Sequence, residues 1–178
     1  MKSNILIDEA GRARLADFGL LRIISDHTNL SYSTSLAQGG TVRWMSAELI
    51  NPVEFGNEKS CPTQSSDCYA LGMVIYETIS GRSPFYGHEP PAVLVRVARG
   101  EHPHRGEGFP ENLWEVLVRC WAHQPSDRPA VEEVLQELKA VPSLSEQPCP
   151  WLGEEMEDGD RLTQSNMSRI CSRLFPGP

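Results

Sequence analysis

Two side chains near the start of the chain carry oxygen atoms at positions where they could bind a metal ion together. Asn4 stands before a short apolar run, residues 5–7, and Asp17 follows a second apolar stretch. The polar residues 8–11 between the two runs end in Gly and have a length typical of β-hairpin loops. A hairpin over residues 5–16 would bring the Asn4 amide and the Asp17 carboxylate to the same end. Because Mg²⁺ prefers such oxygen ligands, the pattern predicts a magnesium site that also contacts phosphate oxygens.

The hairpin needs a supporting framework, and the sequence predicts that this framework is helical. Residues 67–80 are apolar on nearly all sides, which is typical of a helix buried at the centre of its domain. Residues 65–67 supply N-cap chemistry, and Gly81 supplies a stop. Gly72 in the interior costs about 1 kcal/mol relative to Ala, so we expect a neighbouring backbone to approach closely there.

Three further segments have helical features. A helix opened by two prolines is predicted over residues 90–100. Two more apolar faces follow at helical spacing: Leu113, Val116, Leu117, Cys120 and Trp121, then Val131, Val134, Leu135 and Leu138. Turn-forming residues predict loops over residues 51–64 and 101–111. His102 and His104 fall in the second loop without a neighbouring Cys or carboxylate cluster, so we expect them to be solvated.

Length and composition indicate one globular domain of ordinary make-up. The chain has 178 residues, of which 39% are hydrophobic and 22% charged. Its net charge of −8 gives no reason to expect nucleic acid or an anionic membrane as a partner. The five cysteines are scattered without a Cys-x-x-Cys pair, which favours a reducing compartment and no zinc site. Without a signal peptide or an apolar stretch of about 18 residues, we expect a soluble, cytoplasmic protein.

The composition changes after Ala140. The segment that follows contains prolines without periodicity and an acidic cluster made of Glu154, Glu155, Glu157, Asp158 and Asp160. We therefore predict a domain over residues 1–140 and a mostly disordered tail over residues 141–178. A short helix near residues 162–174 is the alternative to solvated coil there.

Taken together, these motifs resemble those of the protein kinase family. Asn4, a hairpin, the Asp-Phe-Gly of residues 17–19 and the segment 40–48 follow one another in the family's order. Residues 120–129, Cys-Trp-Ala-His-Gln-Pro-Ser-Asp-Arg-Pro, resemble a motif of the tyrosine-kinase and tyrosine-kinase-like families. The resemblance covers residues 1–140. It implies part of an α+β fold: a mainly α chain, the helical C-terminal lobe with one short β-hairpin, of the tyrosine-kinase-like Ser/Thr type.

The resemblance also implies roles for individual residues. Asn4 and Asp17 would hold Mg²⁺ ions on ATP. Thr41 would lie in the acceptor-site loop for a protein substrate, and Thr41 and Arg43 favour Ser/Thr over Tyr as acceptor. Asp67 would hold the backbone of the catalytic loop by hydrogen bonds.

Two further features follow from the same resemblance. Glu48 matches the Glu of the family's Ala-Pro-Glu triplet, although Ala47 replaces the Pro. Arg128 matches the family's usual partner of that Glu, which predicts a buried ion pair. The hydroxyl-rich residues 25–41 resemble an activation loop, with possible phosphorylation sites at Ser31, Ser33, Thr34 and Ser35.

Other parts of the family's catalytic apparatus do not occur in these residues. The catalytic Asp of the family's His-Arg-Asp motif would stand before residue 1, and residues 1–178 hold no Gly-rich phosphate loop and no Val-Ala-Ile-Lys strand. We therefore expect ATP-dependent phosphorylation of protein Ser/Thr as the family activity, but an inactive isolated chain that binds Mg·ATP weakly or not at all. The alternatives are a non-catalytic kinase-like scaffold that binds a protein partner, and a truncated gene product or incomplete gene model.

Overall fold

The computed structural model describes residues 5–9, 13–16, 41–106 and 109–141. The chain divides into two compact units. The described residues up to 16 belong to the first unit, and those from 41 onward belong to the second. The predicted tail lies outside the described residues except for Val141, which is buried.

The first unit contains the predicted hairpin. Strands β1 (Ile5–Ile7) and β2 (Ala13–Leu15) are antiparallel. Their residue pairs are Ile5 with Leu15, Leu6 with Arg14, and Ile7 with Ala13. Asp8 and Arg14 form an exposed ion pair of 3.1 Å across the end of the hairpin. The prediction of a hairpin over residues 5–16 is therefore confirmed.

The second unit is helical, as predicted. Its described α-helices are α1 (Ala47–Ile50), α2 (Gln64–Ser80), α3 (Pro90–Ala98), α4 (Glu111–Cys120) and α5 (Val131–Ala140). Short 3₁₀ helices occupy Thr41–Trp44, Pro52–Phe55 and Pro125–Asp127. The second of these corrects the prediction of a plain loop over residues 51–64. Pro at the first position and Gly56 in the left-handed conformation at the end make this single turn favourable.

Helix α2 begins earlier than predicted, because its N-cap is Thr63 and not a residue of 65–67. The Thr63 hydroxyl accepts a hydrogen bond from the Ser66 backbone N–H at 3.2 Å, and the Ser66 hydroxyl accepts one from the Thr63 N–H at 2.8 Å. This reciprocal capping box satisfies two backbone donors at once. The predicted end is confirmed: Gly81 has φ 68° and its N–H donates to the Glu77 carbonyl.

The core of the second unit is built around α2. Met73 is fully buried, Ile75 is buried, and Leu71 and Val74 are half-buried. An added Cβ at Gly72 would lie 2.7 Å from Trp121 Nε1 and 3.0 Å from the Cys120 Cβ. The close approach predicted at Gly72 therefore exists, but it is made by these side chains and not by a neighbouring backbone.

The predicted apolar face of α5 is only partly covered. Val134 is fully buried, whereas Val131 and Leu135 are exposed. The helix also contacts α4 through charged groups, since Arg119 forms ion pairs with Glu133 and Glu137. Helix α5 thus contacts the unit through the buried Val134, the half-buried Leu138 and a polar network, so only part of its apolar face is covered.

Candidate functional site

The predicted metal ligands lie outside the described residues. Asn4 and Asp17 are both in this group, as are Ser31, Ser33, Thr34 and Ser35. The register of the described strands agrees with this prediction. Ile5, the first residue of β1, pairs with Leu15, the last residue of β2. The donor set, one amide oxygen and one carboxylate, fits the chemistry of Mg²⁺. The magnesium site stays a prediction.

The acceptor-site segment begins with the 3₁₀ turn Thr41–Trp44, which packs against α2 and α3. The backbone of Thr41 starts this turn, and Val42 and Trp44 bury their side chains in the core. Two apolar anchors in one turn fix the path of the backbone. The segment that the sequence assigned to the acceptor site therefore has a defined position on the helical unit.

Arg43 ties this segment to the loop between α2 and α3. Its Nη1 donates to the carbonyl oxygens of Pro84 at 3.0 Å and Phe85 at 2.8 Å, and its Nη2 donates to the His88 carbonyl at 2.6 Å. Charge-assisted hydrogen bonds of this kind are stronger than those between neutral groups. This positioning role of Arg43 was not predicted, because a side chain that binds backbone carbonyls has no partner that a sequence pattern can identify.

The backbone conformation of Phe85 explains why the hydrogen bonds from Arg43 are needed. It has φ 55°, a left-handed conformation that costs a non-glycine residue free energy. The buried Phe85 ring and the hydrogen bond from Arg43 to its carbonyl both offset this cost. The loop after α2 is therefore held in one shape next to the acceptor-site segment.

The predicted ion pair between Glu48 and Arg128 is present. Arg128 Nη1 lies 2.6 Å from Glu48 Oε1, and Nη2 lies 2.8 Å from Oε2, a two-pronged geometry. The Arg128 side chain is 0% exposed and that of Glu48 is 5% exposed. Arg128 also donates to the backbone carbonyls of Ala122 at 2.9 Å and Ser65 at 3.0 Å. One guanidinium thus joins α1, the start of α2 and the segment before α5.

Burial and pairing act on the Glu48 carboxyl in opposite directions. Burial alone would raise its pKa, but the hydrogen bonds and charge of Arg128 outweigh burial and hold the pKa of Glu48 below its ordinary value. The Arg128 guanidinium also lies 5.1 Å from the centre of the Tyr69 ring. Burial raises the pKa of the Tyr69 hydroxyl, so this ring stays neutral. Glu48 and Arg128 therefore form a charged pair in a largely apolar setting.

Asp67 stands in the first turn of α2 and is exposed. It is not the N-cap, because Thr63 has that role. Partial desolvation raises the pKa of the Asp67 carboxyl. Its predicted contact with the catalytic loop involves residues outside those described, so this role also stays a prediction.

The described part of the chain contains no cluster of side chains that could form a metal site. No cluster of three or more His, Cys, Asp or Glu side chains there could hold a metal ion. The exposed His102 ring stacks on Trp121, with 5.5 Å between ring centres, so its environment is partly aromatic. No helix among the described residues combines the length and apolarity needed to cross a membrane.

The comparisons with known proteins agree with the fold. Residues 1–138 match the family model for the protein tyrosine and serine/threonine kinase. The chain therefore belongs to the protein kinase family.

A curated relative gives the same assignment. The chain is 32% identical over 166 residues to Dual specificity protein kinase pyk3 of Dictyostelium discoideum. The match covers 93% of this chain but only 11% of that relative. The chain thus spans about a tenth of the length of the relative, and that protein is named as a kinase of dual specificity.

Proposed function

We propose that this chain forms the C-terminal-lobe part of a protein kinase domain that phosphorylates protein Ser/Thr hydroxyls with ATP. The observation that carries the proposal is the arrangement of Thr41–Glu48. Arg43 fixes the start of this segment by three hydrogen bonds to carbonyls, and the buried pair with Arg128 fixes its end. A segment held at both ends can position an acceptor hydroxyl, which is a large part of what phosphoryl transfer requires of the protein.

The residues at the hairpin have the complementary role in this proposal. Asn4 and Asp17 hold Mg²⁺ on ATP, which neutralises phosphate charge as the phosphoryl group is transferred. Thr41 lines the acceptor site. The chain acts in signalling on protein substrates in the cytoplasm, with no nucleic-acid or membrane partner.

The isolated chain of residues 1–178 does not transfer phosphate on its own. Its sequence supplies no Gly-rich loop and no lysine strand to grip the ATP phosphates, and no His-Arg-Asp carboxylate to accept the hydroxyl proton. Loss of a general base typically lowers a rate by about 10²–10⁴-fold, and loss of nucleotide positioning adds to that.

A chimera tests the proposal with a positive signal. The N-terminal lobe of an active protein kinase, through its His-Arg-Asp loop, is fused ahead of Asn4, and phosphate incorporation into a generic protein substrate is measured with Mg·ATP. We expect incorporation on Ser and Thr that the substitution Asp17→Ala abolishes. A folded chimera without activity, or with activity that survives Asp17→Ala, would contradict the proposal. Product found mainly on Tyr would contradict the Ser/Thr assignment.

A second candidate function is a non-catalytic scaffold that binds a protein partner. The observation that favours it is that Leu6 and Leu15, one on each face of the hairpin, are exposed within the described residues. The chimera separates the two functions, because a scaffold would give no phosphate incorporation that depends on Asp17.

A further inference from the structure

A cavity of about 500 Å³ opens on the helical unit. Its walls are the C-terminal half of α2, the loop between α2 and α3, helix α3, and the loop before α4. This volume is in the range of known small-ligand sites. Neither Glu48 nor Arg128 is among the described residues that line it, so the proposed function assigns no role to this cavity.

The described residues that line the cavity carry more positive than negative charge. Among them, Arg82, Arg96 and Arg105 stand beside one carboxylate, that of Glu101. The chain as a whole has a net charge of −8. A concave site that collects positive charge in an acidic protein selects for an anion.

Two of these arginines, Arg96 and Arg105, form ion pairs that leave them partly exposed. Arg96 Nη1 lies 2.6 Å from Glu101 Oε2, with side-chain exposures of 39% and 40%. Arg105 Nη1 lies 2.5 Å from Glu111 Oε2, with exposures of 36% and 69%. A guanidinium has further N–H groups beyond those used in one such contact, so it can bind a second anion at the same time.

The cavity also has aromatic walls. Tyr76, Tyr86 and Phe85 line it, and the Arg82 guanidinium lies 5.3 Å from the centre of the Tyr86 ring. The Tyr76 hydroxyl donates to the His104 carbonyl at 3.2 Å, which orients this ring. Rings beside cations favour a ligand that combines an aromatic group with negative charge.

Two histidines at the cavity have a defined tautomer. His88 Nδ1 lies 3.3 Å from the Tyr86 carbonyl oxygen, and His102 Nδ1 lies 3.0 Å from the Pro103 carbonyl oxygen. A carbonyl can only accept, so in each ring Nδ1 carries the hydrogen. Each Nε2 remains as the second polar atom of its ring.

The wall is also preorganised, because Arg43 binds the carbonyls of Pro84, Phe85 and His88 from the acceptor-site segment. A rigid site loses less conformational entropy when a ligand binds. The same contacts place the cavity next to the segment that begins at Thr41. A partner bound there would lie beside the proposed acceptor site.

We propose that this cavity binds a phosphotyrosine side chain of a protein partner, with Arg82 and Arg96 contacting the phosphate and the aromatic walls contacting the ring. The planar guanidinium group of arginine can donate two parallel hydrogen bonds to a phosphate group. The ring of phosphotyrosine can contact the aromatic walls while its phosphate contacts the arginines. The proposal concerns binding and needs no phosphoryl transfer. Its failure would therefore leave the proposed kinase function intact, and the reverse also holds.

Fluorescence anisotropy with the full chain tests the proposal. The probe is a labelled peptide with one phosphotyrosine among small neutral residues, at an ionic strength of about 0.15 M. We expect at least about tenfold tighter binding than for the unphosphorylated twin peptide, and a loss of at least about tenfold in Arg82→Gln and in Arg96→Gln. The matched control is Arg99→Gln, which changes an exposed arginine next to α3 that does not line the cavity. It should bind normally.

A gain of binding provides a second, independent readout. Glu101→Gln removes the carboxylate that competes for Arg96, so we expect the phosphopeptide to bind severalfold more tightly to this variant. If the Arg96–Glu101 pair has only a structural role, the phosphopeptide should bind to this variant more weakly than to the wild type, or equally well. Circular dichroism of each variant shows whether it is folded, and Glu101→Gln keeps the test decisive if Arg82→Gln does not fold.

Several results would overturn the proposal. Equal binding of the phosphorylated and unphosphorylated peptides, or an equal loss in Arg99→Gln and Arg96→Gln, would exclude the cavity as a phosphate site. Inorganic phosphate or a phosphoserine peptide that binds as tightly would exclude recognition of the ring. Tighter binding by a peptide of residues 151–162 would assign the cavity to the acidic cluster of the chain itself.

Discussion

The helical unit contains two kinds of arginine–carboxylate pair that differ in burial more than in distance. In the Glu48–Arg128 pair the atoms are 2.6 and 2.8 Å apart and the side chains are 5% and 0% exposed. In the Arg96–Glu101 pair at the cavity the distance is also 2.6 Å, but the exposures are 39% and 40%. Similar geometry thus serves two purposes. Water screens the exposed pair and leaves its arginine able to bind a ligand, whereas the buried pair can only hold segments together.

The largest expected effect comes from breaking the buried pair. Arg128→Ala leaves Glu48 charged and buried and removes the contacts to the Ala122 and Ser65 carbonyls. We expect a loss of about 3–5 kcal/mol in the free energy of unfolding, measured by urea denaturation. Arg119→Ala is the control, because its pairs with Glu133 and Glu137 are exposed. Losses of equal size in the two variants would contradict the distinction drawn from burial.

Packing near the buried pair should be nearly as sensitive. Gly72→Ala places a methyl 2.7 Å from Trp121 Nε1, so Trp121 must move or α2 and α4 must separate. Overpacking of this kind costs about 1–3 kcal/mol. At the cavity, Gly106→Ala meets only the Phe109 ring at 3.7 Å, an ordinary contact. Thermal unfolding of both variants checks the difference, and a Gly72→Ala protein as stable as Gly106→Ala would refute the close packing.

The buried pair should also give stability a specific pH dependence. Arg128 holds the pKa of Glu48 below its ordinary value of 4.5, so the folded state binds this proton less readily than the unfolded state. The stabilisation is therefore complete above pH 4.5 and is lost as the pH falls through the folded-state pKa. Urea denaturation from pH 7 to acid pH should show a smaller decline in Glu48→Gln than in the wild type. Identical pH profiles would show that the pKa of Glu48 is not lowered.

The smallest expected effect on stability is at the cavity. Arg105→Gln breaks an exposed pair with Glu111, so we expect a change below about 1 kcal/mol in the free energy of unfolding. A larger loss in urea denaturation would place Arg105 with Arg128 as a structural residue. It would then show that exposure of an ion pair at the cavity does not predict a small contribution to stability.

The sequence was sufficient for features that rest on composite motifs or on strong periodicity. The hairpin and the central helix α2 follow from apolar patterning. The pair of Glu48 and Arg128 follows from two motifs of one family, although the residues are far apart in the chain. These are features in which the type of each residue restricts its partner.

Other features depend on three-dimensional packing that the sequence pattern does not specify. Several hydroxyl residues stand at the start of α2, and only the backbone geometry selects Thr63 as the cap. Periodicity identifies the apolar face of α5 but not how much of that face is covered, and Leu135 on this face is exposed. The bonds from Arg43 go to carbonyls, which every residue possesses. The cavity combines two loops and two helices and has no local signature.

The central claim is that residues 1–178 hold and position an acceptor segment but do not transfer phosphate by themselves. The most direct measurement is phosphate incorporation from radiolabelled ATP, with Mg²⁺ and a generic protein substrate, by the purified chain and by its Asp17→Ala variant. We predict equal incorporation at background level for both proteins. Incorporation by the chain above that of Asp17→Ala would contradict the claim, because it would mean that other groups within these residues complete a working catalytic site.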